Sequence, residues 1–258
     1  MKKVVYIISL LGVLIACEQK SNRYEGNQPS LPPPYQISLV LEHDPTAFTQ
    51  GLVFYNNKLY ESTGGEESWI AEVDITAGTY EKKVILDQAY FGEGITILNN
   101  KMYQLTWQSN VGFIYDLETF EKIQEFSFQS EGWGITHDNQ HLIISDGTDK
   151  LYYLDTVSLA VVETKAILEN GSKTDKLNEL EYINGFIYAN QWGTNYILKI
   201  DPKKQEVVDR LDFTPIVNEV QNSAPEANVL NGIAYNPLTN DVLITGKLWP
   251  KSYLVKIR

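Results

Sequence analysis

One pattern of apolar and polar residues occurs five times along the chain. Each copy begins with a short apolar run, continues through a polar turn and ends with a second apolar run. Two such runs joined by a short turn are typical of a β-hairpin. The copies occupy residues 50–64, 93–107, 133–147, 178–192 and, with a turn two residues longer, 231–247. The pattern therefore predicts five related hairpins.

Further strand-like segments extend each hairpin to a four-stranded unit. A third strand follows every copy, and a fourth follows the first four, such as WIAEVD (69–74) and TYEKKVIL (79–86) in the first unit. The fifth unit lacks its fourth strand, and a matching segment, YQISLVL (35–41), precedes the first copy. Radially repeated four-stranded units are typical of a β-propeller. The alternative, a β-sandwich with similar strands, is disfavoured by the matched spacing.

We therefore predict an all-β fold, a five-bladed β-propeller over residues 35–258. Strands from the N-terminal and C-terminal ends should close the ring in one blade, and no segment of the body is expected to form a substantial helix.

The copies differ mainly at their first and last positions. The first position begins the innermost strand and the last ends the antiparallel second strand, so both lie at the same mouth of the central channel. The loops that enter each innermost strand reach this mouth too. We expect it to gather a polar cluster and an aromatic cage, formed by Gln50, Glu93, Asn178, Asn231, Lys247, Trp107, Trp133, Trp192, Phe48 and Phe91.

The N-terminal residues predict export and lipid attachment. Lys2 and Lys3 precede an apolar run, 4–15, that is too short to span a bilayer as a mature helix, which is typical of a secretory signal. The run ends in Leu-Ile-Ala-Cys17, which resembles a bacterial lipoprotein box; a leftover free thiol is the alternative. We expect a signal peptide at 1–16, a lipidated tether at 17–34 and a membrane-anchored protein of the bacterial cell envelope.

The net charge of the chain argues against nucleic acid as a partner. Cleavage before Cys17 would remove two lysines and change the net charge from −12 to −14. An acidic body without a basic cluster does not favour nucleic acid, whose backbone is bound by Lys and Arg. We expect a monomer.

Glu93 is the only carboxylate at the variable positions of the mouth. Burial among aromatic rings would raise its pKa into a range useful for proton transfer. Lys247, Gln50 and Asn178 could polarise a carbonyl group or hold its developing oxyanion. A buried ion pair between Glu93 and Lys247 is an alternative role, and Asn231 could equally be a hydrogen-bonding residue of its strand.

Several motifs together resemble the glutamine cyclotransferases of plant and bacterial type. They are AFTQGL (47–52), FGEGIT (91–96), Trp107, EGWG (131–134), LNELEY (177–182), NQWG (190–193) and LNGIAYNP…ITGK (230–247). That family adopts a five-bladed propeller, and the resemblance extends over residues 35–258.

The resemblance implies a glutaminyl-peptide cyclotransferase, which converts an N-terminal Gln of a peptide or protein into pyroglutamate and releases ammonia. Glu93 matches the family's proton shuttle, and Lys247, Asn178 and Gln50 match positions that hold the substrate amide and backbone. The aromatic walls would be Phe48, Phe91, Trp107, Trp133 and Trp192. No cofactor is expected to be required, although a structural Ca²⁺ in the channel is compatible with this expectation.

Two other functions remain open from the residues alone. A lactonase-like hydrolase could bind Ca²⁺ through Glu93, Asn178 and Asn231, but one carboxylate is few for a tight calcium site. A non-catalytic propeller could use the cage to bind a ligand, but this would leave Glu93 without a specific role.

Overall fold

The computed structural model of the chain describes Met1 and residues 34–258. Residues 2–16 of the predicted signal peptide, Cys17 and the tether up to residue 33 lie outside the described residues. In the part described, no helix is long and apolar enough to cross a membrane.

Residues 34–258 form 22 strands and one helix. The strands of the first three blades and the N-terminal strand are β1 (Tyr35–Glu42), β2 (Thr49–Tyr55), β3 (Lys58–Thr63), β4 (Trp69–Asp74), β5 (Thr79–Ile85), β6 (Gly92–Leu98), β7 (Lys101–Thr106), β8 (Val111–Asp116), β9 (Lys122–Ser127), β10 (Ile135–His137), β11 (His141–Ser145), β12 (Lys150–Asp155) and β13 (Val161–Ala166). The remaining elements are β14 (Leu168–Glu169), β15 (Ser172–Lys173), β16 (Leu177–Ile183), β17 (Phe186–Gln191), β18 (Tyr196–Asp201), β19 (Glu206–Asp212), α1 (Thr214–Ser223), β20 (Leu230–Asn236), β21 (Asp241–Gly246) and β22 (Lys251–Ile257).

These strands form five sheets in the order that the repeat predicts. Blade 1 is β2-β3-β4-β5, blade 2 is β6-β7-β8-β9, blade 3 is β10-β11-β12-β13 and blade 4 is β16-β17-β18-β19 with the small β14-β15 hairpin at its outer edge. Blade 5 is β20-β21-β22-β1, in which Tyr35 pairs with Ile257 and Glu42 with Lys251. Each innermost strand also contacts those of the two neighbouring blades. The prediction of a five-bladed propeller closed by both ends of the chain is confirmed.

Local sequence explains the hairpins and the burial of their strands. Asn56 and Asn57 connect β2 to β3, and Asn99 and Asn100 connect β6 to β7, all with positive φ. Asn tolerates this conformation, which matches the twist of a two-residue hairpin turn. The innermost strand β6 is buried along its whole length, whereas the outermost strand β9 is mostly exposed. Polar groups on inner strands are therefore kept from solvent.

One expectation about the fold is wrong. The segment after β19 contains α1, where no substantial helix was predicted. Pro215 occupies its first turn, where a missing N–H costs nothing. Ile216, Val217 and Val220 are buried in the same core cluster as Trp249 of blade 5. Tertiary packing therefore stabilises a helix that is too short to give a clear periodic signal.

Candidate active site

A cavity of about 380 Å³ opens at one end of the innermost strands. Nine of the ten residues predicted at the mouth line it, and no other residue of the described part of the chain does: Phe48, Gln50, Phe91, Glu93, Trp107, Trp133, Asn178, Trp192 and Lys247. The structure thus brings together residues from all five blades, separated by up to about two hundred positions in sequence. The tenth residue, Asn231, lies behind the wall.

Aromatic side chains form the walls of this cavity. Phe48 packs edge-on against Phe91 with a centroid distance of 6.1 Å, and Phe91 contacts Trp107 at 5.7 Å. On the other side, Trp133 and Trp192 pack edge-on at 6.0 Å. Trp107 and Trp192 remain 39% and 42% exposed, so they form the rim. The arrangement offers apolar faces to a ligand that enters from solvent.

The Glu93 carboxyl group lies in the cavity wall and is only 4% exposed. Gln50 donates a hydrogen bond from Nε2 to Glu93 Oε1 over 3.0 Å, while Oε2 accepts none from the described residues. Burial raises the pKa of Glu93 well above its ordinary value; the charge of Lys247 opposes this and that of Glu131 adds to it. An acid with one free oxygen and a raised pKa is suited to proton transfer.

Lys247 faces the same cavity but does not form an ion pair with Glu93. Its ammonium group lies 4.7 Å from the ring centroid of Phe48, in a cation–π contact. No salt bridge within 4.0 Å joins it to the Glu93 carboxylate. The buried ion pair left open by the sequence is therefore not present. Burial lowers the pKa of Lys247 to about 8, against the opposing charge of Glu93.

The two asparagines play different parts. Asn178 lines the cavity, is 2% exposed, and its buried Oδ1 has no hydrogen-bond partner among the described residues. Asn231 instead donates from Nδ2 to the Thr49 carbonyl over 3.0 Å and to Gln50 Oε1 over 3.3 Å. Asn231 thus orients Gln50, which in turn contacts Glu93. Its own buried Oδ1 also has no partner among the described residues, so it is the place of Asn178 in the cavity lining that makes its unsatisfied oxygen a candidate ligand contact.

A ring of glycines, which the sequence analysis did not single out, brings these residues together. Glycine follows the first position of four copies, at Gly51, Gly94, Gly134 and Gly232. A Cβ on Gly134 would lie 2.1 Å from the Asn178 carbonyl oxygen, and one on Gly94 would lie 2.8 Å from that of Trp133. Only glycine permits such close approach of neighbouring innermost strands. The signal was visible in the aligned copies.

The fourth copy has Glu179 where the others have glycine. Its carboxyl group is 1% exposed and accepts hydrogen bonds from the Leu52 and Ile233 backbone amides over 3.3 and 2.9 Å. Glu179 therefore links blades 1, 4 and 5 beneath the cavity. Within residues 34–258, no group of three or more His, Cys, Asp or Glu residues is placed to hold a metal ion. The allowance for a structural Ca²⁺ stays a prediction.

Comparisons with known proteins agree with this fold and identify the family. The family model described as glutamine cyclotransferase matches residues 8–257. A glutaminyl-peptide cyclotransferase from Arabidopsis thaliana is 38% identical over 230 residues, which cover 86% of this chain and 72% of that protein. The crystal structure of Myxococcus xanthus glutaminyl cyclase matches with a TM-score of 0.81 and 32% identity, covering 86% of this chain and 95% of that chain.

A more distant structure shares the fold alone. It is a protein of unknown function from Bacteroides caccae, 16% identical, with a TM-score of 0.50 over 64% of this chain and 66% of that one.

Proposed function

The chain belongs to the glutamine cyclotransferase family, and we propose that it cyclises an N-terminal Gln of peptides or proteins with Glu93 as the proton shuttle. The observation that carries this proposal is the buried Glu93 carboxyl group. It has one free oxygen in a cavity with aromatic walls and with the unpartnered Asn178 Oδ1. The 38% identity to a glutaminyl-peptide cyclotransferase supports the reaction class.

The reaction is intramolecular and needs no enzyme nucleophile. The substrate's α-amine nitrogen attacks its own side-chain amide carbon, a C–N bond forms and the amide oxygen becomes an oxyanion. Glu93, as carboxylate, accepts a proton from the attacking amine and donates it to the departing nitrogen. The original C–N bond then breaks, ammonia leaves and pyroglutamate remains. General acid–base catalysis of this kind contributes roughly 10²–10⁴-fold.

The other cavity residues bind and orient the substrate. Lys247 polarises the amide carbonyl and stabilises the oxyanion while it is charged, because a buried cation acts strongly in a water-poor site. Asn178 Oδ1 accepts a hydrogen bond from a substrate N–H group. The aromatic walls favour the neutral amine, which is the form that attacks, and hold the folded conformer, so that orientation supplies several kcal/mol of the rate acceleration.

Ammonia release from a Gln-initiated dipeptide tests the function. We expect catalysed release from this substrate and none from the matching Glu-initiated dipeptide, which lacks the leaving nitrogen. Release no faster than the uncatalysed reaction would contradict the proposed activity.

We also propose that lipid attached to Cys17 anchors the enzyme to a membrane of the bacterial cell envelope. The support is the apolar run 4–15 that ends at the lipoprotein-like box. Mass spectrometry of the N-terminal peptide from membranes tests it. Cleavage before Cys17 with lipid on its sulfur and its amine is expected, and an unmodified Cys17 in an uncleaved chain would refute it.

A further inference from the structure

Glu131 lies outside the cavity lining but contacts two of its walls. Its side-chain oxygen Oε2 accepts a hydrogen bond from the indole nitrogen of Trp107 and another from that of Trp133, each over 2.9 Å. Its second oxygen, Oε1, accepts one from Gln108 Nε2 over 3.1 Å. Trp107 follows the second strand of blade 2 and Trp133 precedes the first strand of blade 3. One carboxyl group therefore joins aromatic walls from two blades.

These bonds restrict the orientation of both indole rings beyond what their aromatic packing does. An indole N–H can only donate, and in a partly buried tryptophan it needs an acceptor. Trp107 is 39% exposed, so solvent borders part of its ring. Among the described residues, Glu131 is the only hydrogen-bond partner of either indole nitrogen. Its removal would leave both indole N–H groups without this partner and the rings with only their packing, Trp107 against Phe91 and Trp133 against Trp192.

The negative charge of Glu131 also affects the pKa of the Glu93 carboxyl group. The pKa of Glu131 is lowered, and the hydrogen bond that it accepts from Trp133 contributes most to this. The group therefore stays ionised at neutral pH. Its charge adds to the effect of burial in raising the pKa of Glu93, whereas Lys247 acts in the opposite direction. The same contacts that orient the walls therefore hold a fixed negative charge near the proton shuttle.

We propose that Glu131 is a positioning residue that holds the indoles of Trp107 and Trp133 in the orientation that binds the substrate's N-terminal Gln. This inference rests on the proposed cyclotransferase function. Glu131 itself does not line the cavity, so it acts through the two tryptophans.

Two substitutions separate the geometry of Glu131 from its charge. Glu131→Ala removes all three accepted hydrogen bonds. Glu131→Gln can still accept both indole N–H groups at one oxygen, and its amide can donate to Gln108 once the Gln108 carboxamide turns over. The matched control is Glu121→Ala, which removes an exposed carboxylate from the outer edge of blade 2. Thermal unfolding of each full-length variant checks that the fold is retained.

The orientation is measured without substrate by ¹⁵N NMR of the tryptophan indoles. In Glu131→Ala we expect the signals of Trp107 and Trp133 to shift and their N–H protons to exchange faster with water. The indole of Trp249, which donates to the Asn228 carbonyl, should not change. Glu131→Gln and Glu121→Ala should keep protection close to that of the wild type.

Kinetics with the Gln-initiated dipeptide then link orientation to binding. We expect kcat/KM to fall about 10–100-fold in Glu131→Ala, mainly through KM, because a misplaced binding wall costs this much. Glu131→Gln should restore most of kcat/KM, and the acid side of its kcat–pH profile should move to lower pH because a negative charge near Glu93 is lost. Wild-type indole signals or wild-type kcat/KM in Glu131→Ala would overturn the inference, as would equal losses in Glu131→Gln and Glu131→Ala.

These outcomes are distinct from failure of the proposed function. A wild-type protein that releases no ammonia would refute the reaction while the indole signals still report on Glu131. An active wild type with an equally active Glu131→Ala variant would refute only the role of Glu131.

Discussion

Two buried glutamates in the innermost strands show how similar burial serves different ends. Glu93 on β6 and Glu179 on β16 are 4% and 1% exposed, and burial raises the pKa of both well above the ordinary value. Both oxygens of Glu179 accept backbone hydrogen bonds, from Leu52 and Ile233, and the group does not line the candidate active-site cavity. Glu93 keeps one oxygen free and faces the cavity. A raised pKa alone does not identify a catalytic acid; it needs an open side toward substrate.

The largest expected effect is on catalysis at Glu93. Glu93→Gln retains the shape of the side chain and an oxygen that can accept the Gln50 hydrogen bond, but it cannot carry a proton between substrate nitrogens. We expect kcat to fall roughly 10²–10⁴-fold. Steady-state ammonia release measures this, with thermal unfolding to show an intact fold. A kcat within twofold of the wild type would remove Glu93 from the mechanism.

The same substitution at Glu179 should act on stability instead. A glutamine accepts at only one end, so one of the Leu52 and Ile233 amides would be buried without a partner. We expect Glu179→Gln to lose about 1–3 kcal/mol of unfolding free energy in urea titrations. Glu93→Gln, which leaves no buried backbone group unpaired, should lose less. Equal losses of unfolding free energy in the two variants would contradict a structural role that Glu179 has and Glu93 lacks.

The pH profile sharpens the contrast further. Activity needs an ionised Glu93, so it should fall with decreasing pH as the group with the raised pKa becomes protonated. It should also fall above about pH 8, where Lys247 loses its charge. The kcat profile is therefore expected to be bell-shaped. In Lys247→Met the alkaline decline should disappear at a reduced maximum, and an unchanged alkaline limb would show that another group causes it.

The smallest expected effect is that of metal removal. Proton transfer by Glu93 and charge stabilisation by Lys247 involve no metal ligand, so incubation with a strong chelator should change kcat/KM less than about twofold. Loss of ammonia release that added Ca²⁺ restores would contradict this expectation and would indicate that the active protein needs the structural Ca²⁺ predicted as compatible with the channel.

The five-fold repeat in the sequence predicted most of the fold and most of the site residues. The first and last positions of the copies identified seven of the nine cavity residues, because a closed ring of similar hairpins places equivalent positions at one mouth. The other two, Phe48 and Phe91, came from the loops that enter the innermost strands at the same mouth. The helix α1 was missed because Ile216, Val217 and Val220 are fixed by packing against blade 5 rather than by their own pattern. Glu131 was overlooked for a related reason. Its role depends on hydrogen bonds from the indoles of Trp107 and Trp133, and only Trp133 is close to it in sequence.

The most direct test compares ammonia release by the wild type, Glu93→Gln and Glu179→Gln at equal concentrations of folded protein and with the same Gln-initiated dipeptide. The proposed mechanism predicts comparable rates for the wild type and Glu179→Gln and a rate lower by roughly 10²–10⁴-fold for Glu93→Gln. A Glu93→Gln enzyme that cyclises the dipeptide as fast as Glu179→Gln would contradict it.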